Sequence, residues 1–176
     1  VLALGAKLGP VLWQLPEDLH FDAGRLAAFL RLLPRTTREA AELALRHDDK
    51  LPEDRALTTT DVDRPVRHAL EFRSSSFCTD EAYELLREHG IACVLADTAG
   101  RFPMVDQDTA DFRYVRLHGA TELYSSGYDA AALDRWADFV RSEVGARDVH
   151  VYFDNDARGR APYDAIALLA RLRDPI

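Results

Sequence analysis

The chain has 176 residues, of which 47% are hydrophobic and 30% charged, with a formal net charge of −8. That composition can bury a core as a single domain over 1–176 and excludes disorder, while the acidic balance argues against the broad basic surface of a nucleic-acid binder. No apolar run approaches the roughly 20 residues that span a bilayer, and Cys78 and Cys93 lack metal-ligand spacing, which fits free thiols in a reducing cytoplasm.

The chain opens on Val1-Leu2-Ala3-Leu4, with neither an initiator Met nor a basic leader, so an amino-terminal segment is expected to be missing. Leu8-Gly9-Pro10-Val11-Leu12-Trp13-Gln14-Leu15-Pro16 is too short for a helix between its breakers and reads as a buried strand over 11–15. Asp22 caps a helix whose Leu26, Phe29, Leu30 and Leu33 share a face, and Pro34 ends it. Thr36 and Glu39 form a capping-box pattern that opens a second helix to about Arg46. Residues 47–67 are polar, a long connection whose stretch 58–64 reads as a helical turn or an exposed loop.

A strand follows in His68-Ala69-Leu70-Glu71-Phe72-Arg73, then a helix from Thr79 that carries Tyr83, Leu85 and Leu86 and stops at Gly90. Cys93-Val94-Leu95-Ala96-Asp97 is the next strand, and residues 98–111 read as a lid or binding loop. Tyr114-Val115-Arg116-Leu117-His118-Gly119 alternates apolar and ionisable side chains and stops at a glycine. An amphipathic helix from about Asp129 places Leu133, Trp136, Ala137, Val140 and Val144 on one stripe, closed by Gly145. A last strand over 149–153 runs into Asn155-Asp156, and Pro162 opens a helix with Ala165, Leu168, Leu169 and Leu172.

This alternation calls for α/β architecture with a parallel sheet. Glycine-rich phosphate fingerprints are absent, which favours a TIM-barrel-like fold, an incomplete barrel of about five parallel strands with flanking helices, over a doubly wound sheet. If Leu70, Phe72, Val115, Leu117, Val151 and Phe153 face the helices, then Gln14, Glu71, Arg73, Asp97, Arg116, His118, Tyr152 and Asp154 face the barrel axis. Burying unpaired charge there costs several kcal/mol per ion, so these groups pair with one another or await a ligand.

Three functions follow. In the first, an enzyme takes a small anionic, phosphorylated substrate at the carboxyl ends of the strands: Arg73 and Arg116 grip the anion, Glu71 or His118 moves a proton with Asp97 as a further candidate, and Gln14, Tyr152 and Asn155 complete the binding surface. In the second, Glu71, Asp97 and His118 ligate a divalent metal in a hydrolase or isomerase. The third is a non-enzymatic nucleic-acid or protein binding module, which the missing Lys/Arg stripe disfavours. Each residue also has a structural reading: Glu71 with Arg73 or Arg116 as an ion pair that closes the barrel, Asp97 as a cap on the turn after its strand, Tyr152 as core with its hydroxyl satisfied by a carboxylate, and Asn155-Asp156 as a tight turn before Gly159. No particular cofactor is indicated.

Five stretches taken together carry a family resemblance: the run from Leu8 to Pro16, Ala69-Leu70-Glu71-Phe72-Arg73 with Ser76-Phe77, Ala96-Asp97, Tyr114-Val115-Arg116-Leu117-His118-Gly119, and Val151-Tyr152-Phe153-Asp154-Asn155-Asp156 with Ala161 and Ala165. In this order they resemble the family called domain of unknown function 72, or YecE-like. The resemblance implies a TIM-barrel-like fold in a soluble bacterial protein whose activity is not established. It also implies that roughly the first third is missing, since the family's Gly-Trp strand and its Glu-Asn-Thr-Phe-Tyr strand are not found here. Position 74 is Ser where the family places His, which removes one imidazole, and position 77 is Phe where Trp is common.

Overall fold

Five strands lie side by side in chain order, every neighbouring pair parallel: β1 (Val11–Gln14), β2 (His68–Glu71), β3 (Ala92–Asp97), β4 (Phe112–Leu117) and β5 (Asp148–Phe153). The structure is a computed structural model that describes residues 1–173. A doubly wound sheet reverses its strand order partway across and carries helices on both faces. Here the order never reverses, and the helices α1 (Ala23–Leu32), α3 (Asp80–Glu88), α4 (Ala130–Glu143) and α5 (Ala161–Arg173) cover one face, with the short α2 (Thr37–Ala44) between α1 and β2 in sequence. The result is an α/β half-barrel, the incomplete barrel expected from the sequence.

Side-chain parity divides the core in two. On the helix side, Leu70 and Phe72 pack with Leu26 and Leu30 of α1 and Leu86 of α3, while Leu95, Val115 and Leu117 pack with Leu133 and Ala137 of α4 and Leu168 of α5. On the concave side Leu12, Ala69, Ala92, Val94, Ala96, Phe112 and Tyr114 form a separate layer. Small residues dominate that layer on β2 and β3, which leaves room for long side chains from the flanking strands to meet in front of them.

Local chemistry sets the helix starts. Asp22, Thr36, Thr79 and Asp129 each accept a backbone N–H three residues ahead and cap α1, α2, α3 and α4. Glu39 does not close a capping box on Thr36; its carboxylate reaches one residue further back and accepts the Arg35 N–H at 2.6 Å. In the long connection the helical turn forms at Glu53–Arg55, and 58–64 is a loop tied to α2, where Thr37 Oγ1 donates to the Val62 carbonyl and accepts from the Arg64 N–H. Two stripe residues face solvent: Val144, which sits at the α4 C-cap just ahead of Gly145, and Leu169 on the outer side of α5. Among the described residues no helix is long and apolar enough to cross a membrane.

Leu70 has no exposed surface and lies between the sheet and the helices. Leu70→Ala is therefore expected to lower unfolding stability by about 2–5 kcal/mol, read from the shift of a urea denaturation midpoint. A loss below 1 kcal/mol contradicts the packing described.

Candidate active site at the strand mouth

The carboxyl ends of the strands bring together Gln14, Glu71, Arg73, Arg116, His118 and Asp154. The register sets this up: Gln14 lies beside Glu71 across the β1–β2 pair, and Arg116 lies beside Ala96 and Tyr152. Because Ala96 projects almost nothing from β3, the Arg116 guanidinium crosses in front of it to reach β2. Arg116 Nη1 donates to Glu71 Oε2 at 2.6 Å and Gln14 Oε1 at 2.9 Å, and its Nη2 donates to Asp154 Oδ2 at 2.7 Å. One guanidinium thus joins β1, β2, β4 and the end of β5.

Glu71 is 2% exposed. Burial pushes its carboxyl pKa up, but the His118 imidazole and the Arg116 guanidinium pull harder, and the group titrates below the ordinary glutamate value. His118 is wholly buried, with Nδ1 3.0 Å from Asp154 Oδ2 and Nε2 3.7 Å from Glu71 Oε1. Nε2 stands beyond hydrogen-bond distance of Glu71 and the Nδ1 contact lacks hydrogen-bond geometry, so the ring lies between two carboxylates without a formed hydrogen bond to either.

Arg73 lies past the end of β2 and is differently employed. Its Nη2 donates to Gln14 Oε1 and Tyr124 Oη, both at 2.9 Å, and its Nε is 3.5 Å from Glu71 Oε1. The guanidinium lies 4.7 Å from the centre of the Phe102 ring. Among the described residues its Nη1 donates to nothing.

Beside Arg73 is a cavity of about 450 Å³, with Glu17, Thr98, Phe102, Thr121 and Tyr124 in its wall. Ala99 and Tyr124, the non-glycine residues with positive φ (52° and 62°), both line it. Such backbone costs roughly 1–3 kcal/mol per residue and gathers at functional sites. Gly119 turns the chain directly after His118 at φ 125°, where a Cβ would collide with the Glu122 carbonyl oxygen.

Gln14, Glu71, Arg73, Arg116 and His118 therefore converge as the strand pattern predicts, and the ion-pair reading of Glu71 is realised with both arginines. Tyr152 also faces the concave side, but it stacks on Tyr114 with ring centres 4.9 Å apart, and its hydroxyl lies near Gly9 without a carboxylate partner among the described residues.

Two expected site residues lie elsewhere. Asp97 shares the parity of Leu95, not Ala96, so it turns to the helix side, where it accepts the Ala99 N–H at 3.2 Å and borders a groove with Trp136 and Phe139 of α4. It caps the turn after β3. Asn155 follows Asp154 by one residue and points inward: its Nδ2 donates to the Ser126 carbonyl at 2.9 Å and Asp164 Oδ2 at 2.7 Å, which fastens the 126–128 loop to α5. With Asp97 displaced, the expected metal ligands Glu71, Asp97 and His118 do not meet, and among the described residues no group of three His, Cys, Asp or Glu is placed to hold a metal ion.

Asp154, Tyr124 and Phe102 belong to the site without having been singled out for it. Asp154 shares Tyr152's parity and was legible as an axis residue; the other two come from irregular loops, where no periodicity marks them.

A parallel half-barrel with charged groups gathered at the carboxyl ends of its strands falls within the α/β-barrel class, in which that face carries the chemistry. More specifically, the chain belongs to the family described as protein of unknown function DUF72, whose profile matches residues 1–175. A crystal structure of a DUF72 family protein from Thermotoga maritima is 23% identical and superposes with a TM-score of 0.70 over 96% of this chain and 59% of its own. Two crystal structures of a DUF72 family protein from Enterococcus faecalis are each 15% identical, with TM-scores of 0.67 and 0.64, and cover 97% and 96% of this chain and 60% and 62% of their own. The chain therefore spans about three fifths of the length of these solved relatives. No curated protein matches it significantly.

The lowered Glu71 pKa predicts the sign of a pH effect. A carboxyl whose native pKa lies below its unfolded one contributes stability that is present above the unfolded pKa and lost as pH falls through the native one. Glu71→Gln also leaves Arg116 short of a buried partner, so a loss of about 3–5 kcal/mol is expected at pH 7. The gap between wild type and variant should narrow as urea titrations move to acid pH; a gap independent of pH contradicts the assignment.

Proposed function

We propose that the mouth is an acid–base active site for a small substrate carrying a single negative charge. The supporting observation is Arg73: its plane is fixed by Phe102, Gln14 and Tyr124, its Nη1 is free among the described residues, and the residue lines the cavity. Arg116, the other arginine expected to grip an anion, is committed to Glu71, Gln14 and Asp154. Two guanidinium groups against two carboxylates leave this cluster formally neutral, a poorer match for a phosphate dianion than for a carboxylate or similar monoanion.

The burial pattern assigns the remaining roles. His118 and Glu71 lie behind the surface, whereas the Asp154 side chain is 37% exposed and has one oxygen, Oδ1, outside the pairs with Arg116 and His118. Asp154 is the group that exchanges a proton with substrate. Arg116 and His118 position it, and acid–base assistance of this kind is worth about 10²–10⁴-fold in rate.

The test is a panel of small carboxylates and phosphorylated compounds screened by ligand-observed NMR, followed by calorimetry on the hits. Arg73→Gln is expected to weaken carboxylate binding about tenfold or more, whereas Asp154→Asn leaves binding within a few-fold and removes turnover. Equal affinity in wild type and Arg73→Gln, or a panel in which phosphorylated compounds alone bind at the mouth, overturns the reading.

A further inference from the structure

The opposite end of the sheet holds a second polar hollow. Arg35 between α1 and α2, Arg67 ahead of β2, His89 at the end of α3, Asp111 ahead of β4 and His150 within β5 enclose about 640 Å³, closed on another side by the Leu8-Gly9-Pro10 segment. None of these residues takes part in the mouth.

Their charges are unequally spent. Arg67 is paired, with Nη1 2.6 Å from Asp148 and Nη2 3.8 Å from Asp111. Arg35 has no carboxylate within ion-pair distance among the described residues. Its Nη2 donates to the Leu30 carbonyl at 3.2 Å and lies 3.3 Å from His89 Nδ1, while Glu39, whose charge also acts on it, accepts the Arg35 backbone N–H. Burial lowers the Arg35 pKa against the opposing charge of Glu39. His150 Nε2 is buried with no partner, on a ring packed edge-on against Phe112. A partly buried guanidinium without a carboxylate at ion-pair distance and a ring nitrogen without a partner are each unfavourable, and both residues line the same hollow, so an oxyanion held there lies beside them.

We propose that this hollow binds a small phosphorylated molecule. A tetrahedral phosphate accepts from several directions at once, which suits donors on separate elements (Arg35, His89 and His150), and a space of this size also holds the rest of a metabolite. The site is separate from the mouth: there each arginine has a carboxylate at ion-pair distance, whereas here Arg35 has none among the described residues.

Calorimetric titration of the chain with pyrophosphate, with inorganic sulfate as the non-phosphate control, tests the assignment. Wild type is expected to bind pyrophosphate saturably, Arg35→Gln and His150→Gln each to weaken it about tenfold or more, and Arg73→Gln to leave it unchanged. Thermal unfolding checks each variant, and if Arg35→Gln fails to fold, His150→Gln decides alone. No saturable binding by wild type, unchanged affinity in the base variants, or sulfate binding as tight as pyrophosphate overturns the proposal. Loss of pyrophosphate binding in Arg73→Gln moves the phosphate site to the mouth instead, and so bears separately on the function proposed there.

Discussion

The bond between Arg116 and Glu71 is the constraint around which the carboxyl face is arranged. An ionised glutamate 2% exposed needs a fixed cation beside it, and a guanidinium that donates one bond still has further donors to satisfy. Gln14 and Asp154 take those donors, so one buried carboxylate dictates the chemistry of residues on four strands or strand ends. The same bond requires Ala96 to be small: a larger side chain there would stand between β2 and β4 on the concave face. Such a network is weak evidence for net stability, since well-packed apolar groups often do as well. That both carboxylates and both arginines meet at the carboxyl ends of the strands, beside a cavity, is the main physical reason to read the mouth as functional.

Much of this was legible because strand side chains alternate. Once Leu70, Val115 and Leu117 are assigned to the helix side, Glu71, Arg116 and His118 must share the other face, and they do. The helix starts were equally plain, since Asp22, Thr36, Thr79 and Asp129 each offer an oxygen just ahead of an amphipathic run. Asp97 shows how the argument fails. Every residue in its strand is apolar or small, so the ionic end supplied the only apparent polarity cue, yet counting by two from Leu95 places Asp97 toward the helices. Asn155 lies beyond the last strand residue, where alternation has no hold. Tyr124 depends on a left-handed backbone that nothing in its residue type announces.

Strain and charge at the two ends of the sheet differ in a way that follows from these contacts. At the mouth, two non-glycine residues hold positive φ, Gly119 allows a turn that no other residue fits without displacement, and the ionic groups compensate one another. A neutral, stiff site of this kind discriminates by geometry more than by attraction. At the base the non-glycine backbone is unstrained, and the unpaired groups are Arg35, which lacks a carboxylate at ion-pair distance among the described residues, and His150 Nε2. That combination suits binding a charged group without demanding its exact orientation.

The solved relatives extend well past the region matched here, and the concave side of the five strands is open at Tyr152, which is 42% exposed. The mouth does not depend on whatever lies across that opening for its internal order. Every bond that fixes Glu71, Arg116 and Arg73 comes from β1, β2, β4, the end of β5 or the loops after them, and each of those strands is paired within the sheet. Further strands would add walls, exclude water and strengthen the electrostatics already present, because the same charges interact more strongly as the surrounding dielectric falls. What they could not readily do is reorient Arg116, whose three bonded partners already fix its plane. The position of Asp154, proposed above to exchange a proton, is thus a property of these five strands, and the surroundings of the cavity beside Arg73 are the part that enclosure would change.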